Sequence, residues 1–128
     1  MTAAAVETLQ EHIDSIRPLA DAICSTLDNE LDKLGFSQGK VTVAAHTDAQ
    51  YRLDRDRVSG ENSLVGIWRN KEGFKCGELL FYADGTFFVE YDVIRVHPRE
   101  PRWFVEAVTA WGRGDTIKSE PRLLPVVG

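Results

Sequence analysis

Nine apolar residues constrain the first third of this chain more than any other feature. They are Val6, Leu9, Ile13, Ile16, Ala20, Ile23, Leu27, Leu31 and Leu34, set at intervals of three and four. At 3.6 residues per turn that spacing draws one apolar stripe along a helix, and the stripe has to be buried against something. Gly35 supplies the stop, because glycine takes the left-handed position after a helix, and Phe36 then reaches back to Leu31 in a Schellman cap. Pro18 complicates the reading. Inside one long helix its ring presses on the carbonyl of Asp14, whereas Ser15 as a cap would place Pro18 in the first turn of a second helix. The expectation is one kinked helix or two, with the main one spanning 16–34. The stripe up to Leu27 also fits a heptad, so a self-associating helix is the alternative to one packed on its own sheet.

From residue 40 the period changes to two. Val41, Val43 and Ala45 alternate with Thr42, Ala44 and His46, a half-buried strand pattern. Tyr51 to Arg57 alternates charge sign, as an exposed edge strand or loop does. Leu64 to Arg69 is a short strand between turns at 59–63 and 70–73, and Arg102 to Trp111 is another. Thr116 to Glu120 adds a last edge, and the proline-containing tail reads as extended or loose. The sharpest local signal is Asp84-Gly85 between two β-rich runs, which predicts a two-residue type I′ hairpin. That register pairs Tyr82 with Phe87, Leu80 with Val89, Glu78 with Tyr91 and Cys76 with Val93, on the face expected to meet the helix. Phe81 with Phe88, Leu79 with Glu90 and Gly77 with Asp92 fall on the other.

The chain has 128 residues, of which 43% are apolar and 27% charged, enough for one ordinary core without a staple. Neither a linker nor a repeat divides it, so residues 1–128 are read as a single α+β domain. The fold expected is a long N-terminal helix, Pro-kinked or divided, packed on a curved antiparallel sheet of about five strands. Helix first and meander second is similar in architecture to cystatin-like folds.

Fifteen Lys and Arg against twenty Asp and Glu leave a formal charge of −5, which argues against nucleic-acid binding by counterion release. The N-terminus lacks the basic and apolar regions of a leader, and no apolar run approaches a membrane span. Cys24 and Cys76 are far apart and make no zinc spacing with the histidines. A cytoplasmic protein without a metal or cofactor is expected, its cysteines reduced.

No nucleophile elbow, phosphate loop or dinucleotide fingerprint is present. Glu78, Glu90, Asp92 and Glu106 lie within predicted strands, where paired carboxylates serve as acid and base if burial separates their pKa values. Glu78 is the best placed of them, opposite Tyr91. The segment from Arg95 to Trp103 gathers Arg95, His97, Arg99 and Arg102 around two prolines, a composition suited to holding a carboxylate or phosphate if the guanidinium forks converge.

Aromatic residues fall on both sheet faces, and one helical layer covers one of them. A second copy is the simplest cover, so the reading is a non-enzymatic interaction module acting as a homodimer, with another protein as a further possible partner. The alternative is a small enzyme or ligand-binding protein with a pocket between helix and sheet around Glu78, Tyr91, Arg95 and His97.

Overall fold

The computed structural model describes residues 2–36, 49–55 and 57–126, with side chains from residue 9 onward. The strand expected at 41–45 lies outside the described residues. One helix, α1 (Thr2–Leu34), packs on an open antiparallel sheet of six strands: β1 (Gln50–Arg55), β2 (Asn62–Arg69), β3 (Lys75–Phe81), β4 (Thr86–Val96), β5 (Trp103–Arg113) and β6 (Thr116–Pro125). The strands neighbour one another in chain order, a simple meander. The α+β class stands. Among the described residues the sheet has six strands, not about five, and the cystatin-like comparison holds loosely, in the order of helix first and meander second.

α1 is one helix, so Pro18 neither divides it nor sets its start. The carbonyl of Asp14, deprived of its usual donor by Pro18, belongs to an exposed residue where water can take it. Ser15 does not cap a second helix; its hydroxyl donates to the carbonyl of His12. At the C-terminus Phe36 N–H donates to Leu31 O (3.0 Å) and Gly35 N–H to Asp32 O (3.1 Å), the two bonds of a Schellman motif.

The stripe is buried from Ala20 onward. Ala20, Ile23, Cys24, Leu27, Leu31 and Leu34 meet Leu64, Trp68, Leu79, Phe81, Phe87, Val89, Val105 and Val108 in one core. Each large aliphatic side chain taken fully from water there contributes about 2 kcal/mol. Leu9, Ile13, Ile16 and Leu19 are only partly covered. Tyr51 lies against Gly66 at the edge of this core, its hydroxyl without a hydrogen-bond partner among the described residues.

The β3–β4 hairpin corrects the predicted register by one residue. Phe81 pairs with Phe87, Leu80 with Phe88, Leu79 with Val89, Glu78 with Glu90 and Gly77 with Tyr91. The loop holds three residues, not two. Tyr82 N–H donates to Thr86 O, and Gly85 N–H to Tyr82 O, a β-turn followed by Gly85 at φ 88°. Asp84 keeps a negative φ, as a type I′ turn would not allow, and its carboxylate accepts from the Thr86 amide and hydroxyl. Because strand side chains alternate, this slip exchanges the two faces of β3, while β4 keeps the expected one, with Phe87, Val89 and Tyr91 toward the core. Leu79 and Phe81 point to α1, and Glu78 and Leu80 point away.

Register shifts fall between Trp68 and Arg69, between Asp92 and Arg95, and between Val105 and Ala107. At the second, Ile94 has φ 52°, a conformation that β-branched residues rarely adopt, and it is exposed. Both sheet edges are blunted. β1 carries Arg52, Asp54 and Arg55 in exposed positions, and β6 carries Pro121 and Pro125.

Candidate functional site

The pleat places alternate residues of all six strands on the face that α1 leaves open, where they form four rows across the sheet. The first runs Arg52, Val65, Leu80, Phe88, Trp111 and Lys118. Four apolar residues thus stand between two cations. The second runs Gln50, Ile67, Glu78, Glu90, Thr109 and Glu120. The third holds Arg69 and Lys75, paired across β2 and β3, then Asp92, Ala107 and Arg122. Val96, Phe104 and Leu124 make the fourth, and Val96 and Leu124 are exposed.

Along the strands the face therefore reads apolar, acidic, mainly basic, apolar. Lys75 Nζ bonds Glu78 Oε2 at 2.9 Å, and Arg122 Nη1 bonds Glu90 Oε1 at 2.9 Å. A shallow depression of about 200 Å³ lies between the middle rows, lined by Lys75, Gly77, Glu78, Glu90 and Asp92. Among the described residues no group of His, Cys, Asp and Glu has a metal-binding arrangement.

Burial pushes the Glu90 carboxyl above its usual range, with Arg122 holding it back and Asp92, Glu78 and Glu106 adding to the rise. Burial also raises Asp92, against Lys75 and with Glu106 and Glu78 adding. A carboxyl with a raised folded pKa holds its proton more tightly when folded. It adds stability at low pH and loses that contribution as pH rises through the folded value. Asp92→Asn is therefore expected to stabilise the protein at neutral pH and to reduce its relative gain on acidification into the carboxylate range. Urea midpoints of both proteins at neutral and mildly acidic pH check this, and a variant that tracks the native protein throughout would contradict it.

The residues singled out in the sequence divide between places. Glu78 is on the open face, opposite Glu90, so the expected pairing with Tyr91 in a pocket beneath the helix is corrected by the register. Tyr91 faces α1 and meets the Trp68 ring edge-on, with centroids 5.7 Å apart and planes at 77°. Arg95 pairs with Val105, beyond the shift at Ile94, and its charge offsets part of the rise that burial imposes on Tyr91. His97 is buried. Its Nδ1 accepts the amides of Arg99 and Glu100, both at 3.1 Å, and so holds the β4–β5 loop closed. Arg99 Nη1 donates to Lys33 O at 3.2 Å, placing a cation at the negative end of the α1 dipole. Arg102 lies exposed in the turn, and its carbonyl accepts from Val126 N–H. Glu78 is thus separated by the sheet from Tyr91, while His97 and Arg99 bind within their own loop and the helix end.

Sequence reasoning ended the last edge strand at Glu120 and so missed Arg122 and Leu124, because the tail from Pro121 was read as extended or loose. The available signal was alternation, with Lys118, Glu120, Arg122 and Leu124 on one side and Ile117, Ser119, Pro121 and Leu123 on the other. Ser119 confirms the phase, since its hydroxyl donates to Glu30 of α1 at 2.8 Å. A second concavity of about 490 Å³ lies between α1 and the ends of β2 and β3, with Ile16, Leu64 and Phe81 at its base and His12 and Asn62 on its rim.

No protein-family model, curated protein or solved structure matches the chain. Among the described residues no helix is long and apolar enough to cross a membrane.

Proposed function

We propose that the chain is a small cytosolic interaction module, not an enzyme, that acts as a homodimer through the helix-free face of its sheet. The observation that carries this reading is the pair of apolar rows, Val65–Leu80–Phe88–Trp111 and Val96–Phe104–Leu124, on the face opposite α1, where Val65 is buried among its neighbours, Leu80, Phe88, Trp111 and Phe104 are partly open and Val96 and Leu124 are exposed. A sheet with apolar rows on both faces gains by placing a layer on each, and a second copy supplies that layer without another gene product. Glu78 and Glu90 support a binding role over an acid–base one, because each is held in an ion pair within the face. Cys24 and Cys76 are thiols, in keeping with a reducing compartment.

Sedimentation velocity at high micromolar concentration is expected to return twice the 14.4 kDa chain mass. Trp111→Glu, which places a charge in the middle of the first apolar row, is expected to weaken self-association by about 100-fold or more while leaving the circular dichroism spectrum unchanged. A monomer mass for the native protein would overturn the reading.

A further inference from the structure

The order of the four rows is self-complementary, and it selects one arrangement of two copies. Sheets that pack face to face in a closed dimer are related by a two-fold axis lying between them. If that axis ran along the strands, each row would meet itself. Glu78, Glu90 and Glu120 would face the same acidic row of the second copy, and Arg52 would face the partner's Lys118. Like charges set opposite one another across an interface cost several kcal/mol.

An axis running across the strands reverses the rows instead. The first apolar row then meets the fourth, and the acidic row meets the basic one. We infer that two copies pack in this second way, each strand antiparallel to its own counterpart, so that Glu78 and Glu120 of each copy meet the partner's Lys75 and the partner's Arg122. This inference rests on the homodimer reading given above.

The supporting pattern lies on β3 to β6, since the fourth row is confined to the last three strands. On β3, Glu78 and Lys75 stand on either side of the axis, and on β6, Glu120 and Arg122 do. The apolar ends agree on β4 and β5, where Phe88 and Trp111 meet the partner's Val96 and the partner's Phe104, while on β6 Lys118 falls opposite the partner's Leu124. On β4 the same operation sets Glu90 beside the partner's Asp92, the one like-charge approach. Each of these carboxylates has a cation of its own, Arg122 bonded to Glu90 and Lys75 near Asp92. Glu106 contributes charge near both, so the centre of the face is the part that is not complementary.

A charge-swap experiment tests this. Glu120→Arg alone and Arg122→Glu alone each set like charges across the interface, and each is expected to weaken self-association by about tenfold. Mixing the two variants in equal amounts restores both contacts in a heterodimer, expected to bind within about threefold of the native dimer. Circular dichroism and urea midpoints establish that each variant is folded. Arg122→Glu also breaks the bond to Glu90, and Lys75→Glu and Glu78→Lys each break the Lys75–Glu78 pair, so the two sets are independent and either decides the matter if a member of the other unfolds. Recovery in either mixture supports the arrangement. A native dimer whose folded variants show no recovery on mixing overturns the arrangement and leaves the homodimer reading standing, whereas a native monomer overturns both.

Discussion

Replacing Gly112 with alanine is expected to lower stability by about 3 kcal/mol or more, read as a drop in the urea midpoint with little change in slope. Gly112 sits near the end of β5, paired with Phe87 on one side and Ile117 on the other, at φ 158°. A Cβ placed there would overlap the carbonyl oxygen of Thr116 and press on the Phe87 ring. A ring can turn aside, but a backbone carbonyl in a tight hairpin cannot. Arg113 and Thr116 are already paired across the two residues Gly114 and Asp115, which leaves no slack in the turn. An alanine variant with the native midpoint would mean that this hairpin can open without loss.

The second large effect distinguishes adjacent leucines. Leu79→Ala is expected to cost about 3 to 4 kcal/mol, because Leu79 is fully buried between β2 and β4 beneath α1 and its loss leaves a cavity. Leu80→Ala should cost about 1 kcal/mol in the monomer, since Leu80 is half-exposed on the open face, and should act mainly on self-association. Equal losses at the two positions, or a larger loss at Leu80, would place the sheet in the opposite register. Unfolding measured at low protein concentration keeps folding and association apart.

That pair of variants tests the point where sequence reasoning went astray. An Asp-Gly dipeptide marks a hairpin in either register, because glycine supplies the left-handed residue both of a two-residue turn and of a three-residue loop. The choice depended on whether Tyr82 would pair with Phe87 or with Thr86, and no local pattern in this stretch distinguishes them. Leu79, Leu80 and Phe81 are consecutive apolar residues, as are Phe87, Phe88 and Val89, so the period-two signal is lost where it was needed. The helix was legible because nine apolar positions repeat one period and Gly35 with Phe36 closes it. Pro18 left one kinked helix or two as the readings, because its local penalty is visible in the sequence and the exposure of the Asp14 carbonyl that offsets it is not. The first half of β6 was legible as an edge strand, and its second half was hidden by Pro121 and Pro125, which an edge strand tolerates and an inner one does not. The open face could not be read at all without the register, since rows across a sheet are a property of pairing and no single strand contains them.

The irregular pairing near Ile94 also has a geometric effect on the sheet as a whole. Between the Asp92–Ala107–Arg122 level and the Arg95–Val105–Leu123 level, β4 advances three residues, β5 two and β6 one. Extended strands would spend about 3.3 Å on each of those residues. The surplus is instead taken up in bulges, where Ile94 at φ 52° leaves the extended conformation and the bulged strand bends and twists locally. Beyond the bulges the loop held by His97 delivers Arg99 to the Lys33 carbonyl at the end of α1, so the irregular end of the sheet is also the end that ties down the helix.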